Sequence, residues 1–268
     1  MKGEKVKTKE LTKPVGKDLV DWEEQLAADA VEAKGKIAGT GGGQFASIRG
    51  GTLTVGGNPI PNNELACVIL AFANQKAYYE KEFDPSTPAS PECYAFGDDA
   101  ASMQPHSQCE KPQSEACKGC QHNEFGTALR GKGKRCRDSV KLALIPAGSL
   151  VGGVFHPITE TEAFKKADVV MLSVPPTSIA AFGNYARALA GVQHRPPYGA
   201  FTKISVRSDP KKQVAVSFDC LAMAPTELLS TLRERSKSVE TSLAVPFPKL
   251  EEKTAPPTKA GKPGKSKY

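Results

Sequence analysis

The chain has 268 residues, of which 39% are hydrophobic, so it can form one or two packed domains and is not disordered throughout. No run of 18 apolar residues is present, which excludes a transmembrane helix. The basic N-terminus is not followed by an apolar run, so we expect no secretory signal and a cytoplasmic location. The 24 Gly and 21 Pro residues indicate many turns, as is typical of a β-rich fold.

The net charge of +7 is concentrated in three segments of the chain. Residues 1–17 and 249–268 each carry a net charge of +4, and residues 117–141 carry +5. Clustered positive charge favours a polyanionic partner, most commonly nucleic acid. For the two ends of the chain, a purely solubilising role is an equal alternative. In 117–141 the charges lie beside cysteines and glycines, which favours a functional role.

Taken in chain order, residues 1–40 are predicted to be a disordered basic arm with one short amphipathic helix at 21–34. A strand and hairpin turn are indicated at 45–57, where apolar residues alternate and glycines are paired. Residues 64–84 are rich in Val, Ile, Phe and Tyr and predict one or two antiparallel strands, with a break near Asn74 and Gln75.

The second half predicts further strands and two helices. Strands are expected at 139–145 and 168–174, a helix at 177–192 and a hairpin from 201–209 and 213–222. A last helix follows Pro225, with Leu228, Leu229 and Leu232 facing inward. Residues 246–268 form a second basic tail. With five to seven short strands, residues 41–245 predict a mainly β (α+β) domain, a small barrel or partly open sheet with two or three peripheral helices, interrupted by a long insertion at 93–136.

The seven cysteines do not suggest a disulfide framework, because their number is odd and no secretory context is expected. Cys67 and Cys220 lie in apolar strand patterns and are predicted to be small buried hydrophobic residues. Cys117 and Cys120 form a CxxC motif, and Cys136 follows after fifteen residues, a spacing typical of a zinc site. The sequence leaves the fourth ligand open between Cys93 and Cys109, with His106 and His122 as weaker options.

A structural zinc ion would explain how the 93–136 segment can be ordered. This segment has few apolar side chains, so burial cannot offset its loss of conformational entropy, whereas zinc binding supplies about 10 kcal/mol or more. A redox CxxC, an iron–sulfur cluster and free thiols are the alternatives. No catalytic motif is present, and Asp98 and Asp99 are interpreted as a polar turn, so we predict that the protein is not an enzyme.

Residues 93–145 contain a more specific pattern. The sequences CYAFGDD and QSEACKGCQHNEFGTALRGKGKRCRDSVKLALI resemble the zinc-containing single-stranded-DNA-binding proteins of tailed bacteriophages. The resemblance implies an OB-like β-barrel with an inserted zinc loop, in which Cys93, Cys117, Cys120 and Cys136 bind zinc and Cys109 is a reserve ligand. It also implies sequence-tolerant binding of single-stranded DNA in phage replication or recombination, in the host cytoplasm. The chain ends in KPGKSKY, so recruitment of partners by an acidic tail is not expected.

Single-strand binding requires cations for phosphates and flat side chains for bases. Alternation on the predicted strand puts one of the two adjacent tyrosines outward as a stacking candidate. The candidate nucleic-acid contacts are Lys76, Tyr78, Tyr79, Lys81, Arg130, Lys132, Lys134, Arg135 and Arg137. The expected partners are single-stranded DNA and replication or recombination proteins, with no membrane and no small-molecule substrate. The alternative is a zinc-stabilised regulatory or scaffold protein that contacts a host or phage protein.

Overall fold

A computed structural model describes residues 44–81 and 89–247 of the chain. These residues belong to one compact unit that begins at Gln44. The predicted basic arm and helix of residues 1–40 lie outside the described residues, as does all of the basic tail except Pro246 and Phe247.

Strands dominate the described part of the chain, which confirms the predicted mainly β class. The strands are β1 (Gln44–Arg49), β2 (Thr52–Val55), β3 (Asn58–Pro59), β4 (Glu64–Tyr78), β5 (Cys93–Gly97), β6 (Cys136–Pro146), β7 (Gly148–Val151), β8 (Val154–Pro157), β9 (Val170–Val174), β10 (Ala200–Asp209) and β11 (Gln213–Met223). The α-helices are α1 (Thr161–Lys166), α2 (Ile179–Val192) and α3 (Thr226–Leu243). None of these helices is long and apolar enough to cross a membrane.

Nine strands form one curled sheet in the order β11-β10-β4-β6-β9-β1-β2-β3, with β5 also paired to β4. All pairings are antiparallel except that of β1 with β9. The curl brings the β1–β2 turn against the end of β10, where Gly51 lies so close to the Ser208 side chain that no Cβ would fit without a shift. Gly51 has a φ of +80°, a value that glycine adopts without strain. The remaining strands, β7 and β8, form a separate hairpin.

The two faces of the sheet are buried against different helices. Leu142 and Leu144 belong to the core cluster that includes Phe182, Tyr185 and Leu189 of α2. The intervening Ala143, with Ile145, belongs to a second cluster that contains Leu228 and Leu232 of α3 and Phe164 of α1. Since neighbouring residues of a strand point to opposite faces, the alternation shows that α2 covers one face, while α1 and α3 cover the other.

Several sequence predictions are confirmed at the level of elements. The hairpins at β1–β2 and β10–β11, the strands β6 and β9, and the helices α2 and α3 all lie where the patterns predicted them. Leu228 and Leu232 are buried as expected, and Leu229 is half-buried. Asp99 does form a polar turn, because its carboxylate accepts a hydrogen bond from the Ala101 N–H at 2.9 Å.

Other predictions were wrong. Strand β4 does not break at Asn74 and Gln75, because both residues pair with β5 on one side and β6 on the other. Eleven strands are present in the described residues rather than five to seven, since β3, β5 and the β7–β8 hairpin were not recognised. Cys220 lies exposed on β11, whereas Cys67 is fully buried as predicted.

Candidate functional site

The candidate site lies where β4, β5 and β6 end together. In the strand register, Tyr78 of β4 lies opposite Cys93 of β5 on one side and opposite Cys136 of β6 on the other. Directly opposed residues of antiparallel strands project from the same face of the sheet. The pairing therefore brings together two cysteines that are 43 positions apart in the sequence.

The loop between β5 and β6 adds the CxxC motif to these two cysteines. The Cys117 N–H donates to the Met103 carbonyl at 3.0 Å, which fixes the start of the motif. Gly119 has a φ of +79°, so the chain turns sharply between the two cysteines, and a 3-10 turn at Gln121–Asn123 follows. The Asn123 N–H donates to the Cys120 carbonyl at 2.9 Å and closes this turn.

The four predicted ligands line one small cavity of about 20 Å³. Cys93, Cys117, Cys120 and Cys136 all contribute to its wall, together with Tyr78 and residues of the loop. Cys109, the reserve ligand, is not among the lining residues. Its Sγ instead lies 3.2 Å from both the N and the O of Tyr94 in β5. The Cys109 thiol is also hydrogen-bonded to that of Cys93 and interacts with that of Cys117, so it lies next to the cavity and stays the reserve ligand.

Burial favours the protonated form of three of the cavity thiols, those of Cys93, Cys117 and Cys136. Burial raises the pKa of Cys93 to about 11 and that of Cys136 to about 12, although the charge of Lys76 acts in the opposite direction on Cys136. Burial likewise raises the pKa of Cys117. Within residues 44–81 and 89–247, no three or more His, Cys, Asp or Glu side chains are already spaced to hold a metal ion. The thiols share a cavity, but they would have to move closer together to bind one.

A buried ion-pair network lies beside this cavity. Lys76 is only 5% exposed, and its ammonium group donates to Asp138, the residue directly opposite it on β6. Lys134 donates to the other carboxylate oxygen of Asp138 at 3.2 Å. Burial would raise the pKa of Asp138, but the hydrogen bonds and charges of Lys76 and Lys134 outweigh it and lower the pKa.

Asn123 connects this network to the CxxC motif. Its side-chain oxygen accepts hydrogen bonds from Lys76 at 3.3 Å and Lys134 at 3.2 Å, and its side-chain nitrogen donates to the Cys117 carbonyl at 3.0 Å. Neither Asn123 nor Asp138 was predicted from the sequence as a site residue. The CxxCxxN spacing was the available signal for Asn123, whereas Asp138 becomes apparent only through the strand register.

The candidate nucleic-acid residues fall into two groups in the structure. Lys76 and Tyr78 are buried, and Tyr78 is stacked against the ring of His122 at 4.3 Å, so neither is placed to contact a phosphate or a base. Tyr79 is half-buried and is the outward member of the tyrosine pair. The side chains exposed to solvent are Lys81, Arg130, Lys132 and Arg137, and those partly exposed are Lys134 and Arg135.

Arg135 connects the basic loop to the end of β4. Its guanidinium group donates to the Glu80 carbonyl, just beyond β4, and lies 5.6 Å from the centre of the Tyr78 ring. Burial raises the pKa of the Tyr79 hydroxyl, and the positive charge of Arg137 offsets part of this rise. The loop cations and the segment after β4 therefore lie on the same side of the molecule.

A cluster of aromatic rings was also not predicted from the sequence. Tyr94 and Phe96 on β5 contact Phe247, which follows α3, with ring centres 5.1 and 6.1 Å apart. His106 stacks on Tyr94, and the Lys141 ammonium lies 5.5 Å from the centre of the Phe96 ring. These contacts fix β5 and the start of the loop against the end of α3.

The comparisons with known proteins do not add a relative. No protein-family model matches the chain, and neither a curated protein nor a solved structure matches it at a significant level.

Proposed function

We propose that this chain is a zinc-stabilised protein that binds single-stranded DNA with little sequence preference. The observation that carries the proposal is the convergence of Cys93, Cys117, Cys120 and Cys136 on one cavity at the base of a basic loop. Four thiolates are the donor set of closed structural zinc sites, and a closed site leaves no open position for catalysis. Zinc bound here would draw the four sulfurs together and hold the loop in one conformation.

The basic loop supplies the contacts for a polyanion. Arg130 and Lys132 are exposed, and a Cβ added at Gly131 would meet nothing within 4 Å, so the space beside the loop is open there. Arg137 on β6 is also exposed, and its charge reaches the Tyr79 hydroxyl. Ordering the loop by zinc lowers the entropy lost when a strand binds, which supports a role for the metal in affinity as well as in folding.

The curled sheet supports an OB-like interpretation of the fold. An otherwise antiparallel sheet with one parallel pairing, curled until the β1–β2 turn meets the end of β10, is the kind of partly open barrel that OB domains form. On this interpretation, residues 98–135 are an insertion between β5 and β6. The resemblance of residues 93–145 to phage single-stranded-DNA-binding proteins supports, as part of the proposal, a role in phage DNA replication or recombination.

Salt dependence tests the proposed binding. A labelled oligothymidylate should bind more tightly than a duplex of equal length, and log K should fall linearly with log salt concentration. Arg137→Ala should weaken binding and reduce the magnitude of the slope by about 0.7, the value per neutralised phosphate of a single strand. Lys165→Ala, an exposed lysine on α1 that pairs with Glu162, is the matched control and should leave the slope unchanged.

Two results would reject the proposal: binding that is insensitive to salt, and a preference for duplex DNA. A protein complex that survives nuclease treatment, in a chain that does not bind oligonucleotides, would instead support the regulatory or scaffold function.

A further inference from the structure

The loop that bears the exposed cations also presents an aromatic ring to solvent. Phe125 is 79% exposed, the highest value among the large hydrophobic side chains that the structure describes. It directly follows the 3-10 turn at Gln121–Asn123 and Glu124. Single exposed rings are common on protein surfaces, but a ring beside exposed cations has the combination that single-strand binders use for bases and phosphates.

The backbone of the loop keeps the ring beside the cations. The Gly126 N–H donates to the Gly133 carbonyl at 2.9 Å and to the Lys132 carbonyl at 3.2 Å, and the Ala128 N–H donates to the Gly133 carbonyl at 3.1 Å. These bonds close residues 126–133 into a compact loop. Gly126 has a φ of +88°, which allows the chain to turn immediately after Phe125.

A fixed cation covers one face of the ring. The Lys134 ammonium lies 5.0 Å from the centre of the Phe125 ring. Its position is set by hydrogen bonds to Asn123 and Asp138, the residues that connect the ion-pair network to the CxxC motif. With Lys134 on one side and a high overall exposure, the ring has a free face on which a planar group can stack.

We propose that Phe125 is the stacking platform for an unpaired base of the bound strand, with Lys134 holding the ring and Arg130 and Lys132 facing the adjacent phosphates. This inference rests on the proposed function and adds to it the residue that contacts a base. Charge complementarity favours a nucleic acid over an apolar protein surface, because Glu124 is the one acidic residue in 121–137. A base offers a flat face to the ring while its phosphates meet the cations.

The test compares two oligonucleotides of equal length, oligothymidylate and an abasic strand with the same phosphates. Phe125→Ala should weaken binding of oligothymidylate by about tenfold, the effect typical of losing one stacked base. The abasic strand should bind the wild type and this variant within twofold of each other, and the salt slope should not change. Phe45→Ala, which removes another exposed phenyl ring on β1, is the matched control and should have no effect on either strand.

A tryptophan probe provides a second measurement. The chain has a single tryptophan, Trp22, so Phe125→Trp in a Trp22→Phe background places the only indole at the proposed platform. Oligothymidylate should quench its fluorescence, and the abasic strand should not.

Equal losses on the two strands, or no loss on either, would overturn the assignment of Phe125 while leaving single-strand binding intact. If the wild type does not bind oligothymidylate at all, the proposed function fails first and the assignment fails with it. The base platform would also be rejected if the protein needed Phe125 to bind anionic vesicles or another protein while Phe125→Ala left oligothymidylate binding unchanged.

Discussion

At the scale of single residues, Lys76 has the most unusual environment in the site. A lysine in a strand beside two tyrosines predicts an exposed phosphate contact, yet its ammonium group is buried between Asp138 and Asn123. A buried cation is tolerated only when it is paired and hydrogen-bonded. Lys76 also lies close enough to the cavity to act on the thiols of Cys117 and Cys136, so it offsets part of the negative charge that thiolates would bring there.

The Lys76–Asp138 ion pair predicts that replacing one member destabilises the protein more than replacing the other. Asp138→Asn leaves the buried Lys76 without a counter-ion and should lower the free energy of unfolding by about 2–4 kcal/mol. Lys76→Met should have a smaller effect, because Asp138 keeps its ion pair with Lys134. Urea denaturation measures both, with Glu162→Gln in the exposed pair on α1 as the control. If Lys76→Met is the more destabilising change, the ion pair is not what stabilises this site.

At the scale of elements, three strands and one loop form the site together. The ends of β4, β5 and β6 supply Tyr78, Cys93 and Cys136, and the loop supplies Cys117 and Cys120. The loop has few buried apolar side chains of its own; Met103 is one, and it packs with Ala95 and Cys117. Its conformation therefore depends on the thiol cavity, whereas the strands are held by the sheet and its two cores.

This difference predicts that the loop can unfold while the sheet stays folded. The purified protein should contain one zinc ion per chain by elemental analysis. Cys120→Ser should release the zinc, expose residues 98–135 to limited proteolysis and weaken single-strand binding, while far-UV circular dichroism retains the β signal.

Cys220→Ser is the matched control, since Cys220 lies on β11, is exposed and does not line the cavity. A Cys120→Ser protein that binds oligothymidylate normally without zinc would break the proposed connection between the metal and binding.

At the scale of the whole molecule, one curled sheet separates two apolar clusters. Adjacent residues of β6 belong to opposite clusters, so any movement of this strand disturbs the packing of both α2 and α3. Tyr185 of α2 is tied to the sheet by a hydrogen bond with Thr202 of β10 at 2.5 Å. The sheet and the helices packed on its two faces should consequently unfold as one cooperative structure.

A central core substitution tests this cooperativity. Leu142→Ala removes a fully buried side chain from β6 and should lower the free energy of unfolding by about 3 kcal/mol. Circular dichroism and tyrosine fluorescence should report the same single urea transition. Val192→Ala, at the exposed end of α2, should change the stability by less than about 0.5 kcal/mol. Separate transitions for the two probes would show that the two cores unfold independently.

The sequence by itself determined the features that depend on neighbouring residues. Alternation located the β1–β2 and β10–β11 hairpins, with paired glycines marking the first turn and Asp209-Pro210 the second. Apolar residues at three- and four-residue spacing located α2, because strand and helix periods are local properties. It also identified the cysteines of the 93–136 segment as a group, since the CxxC spacing is local.

Only the tertiary structure decided which of these cysteines meet and which polar residues are buried. Cys93 lines the cavity because β5 pairs with β4 in one register, and Lys76 lies opposite Asp138 because β6 pairs with the other edge of β4. Such pairings join residues far apart in the chain, and their energy comes from the packing of the whole sheet. The sequence of one strand does not specify which strand it will pair with.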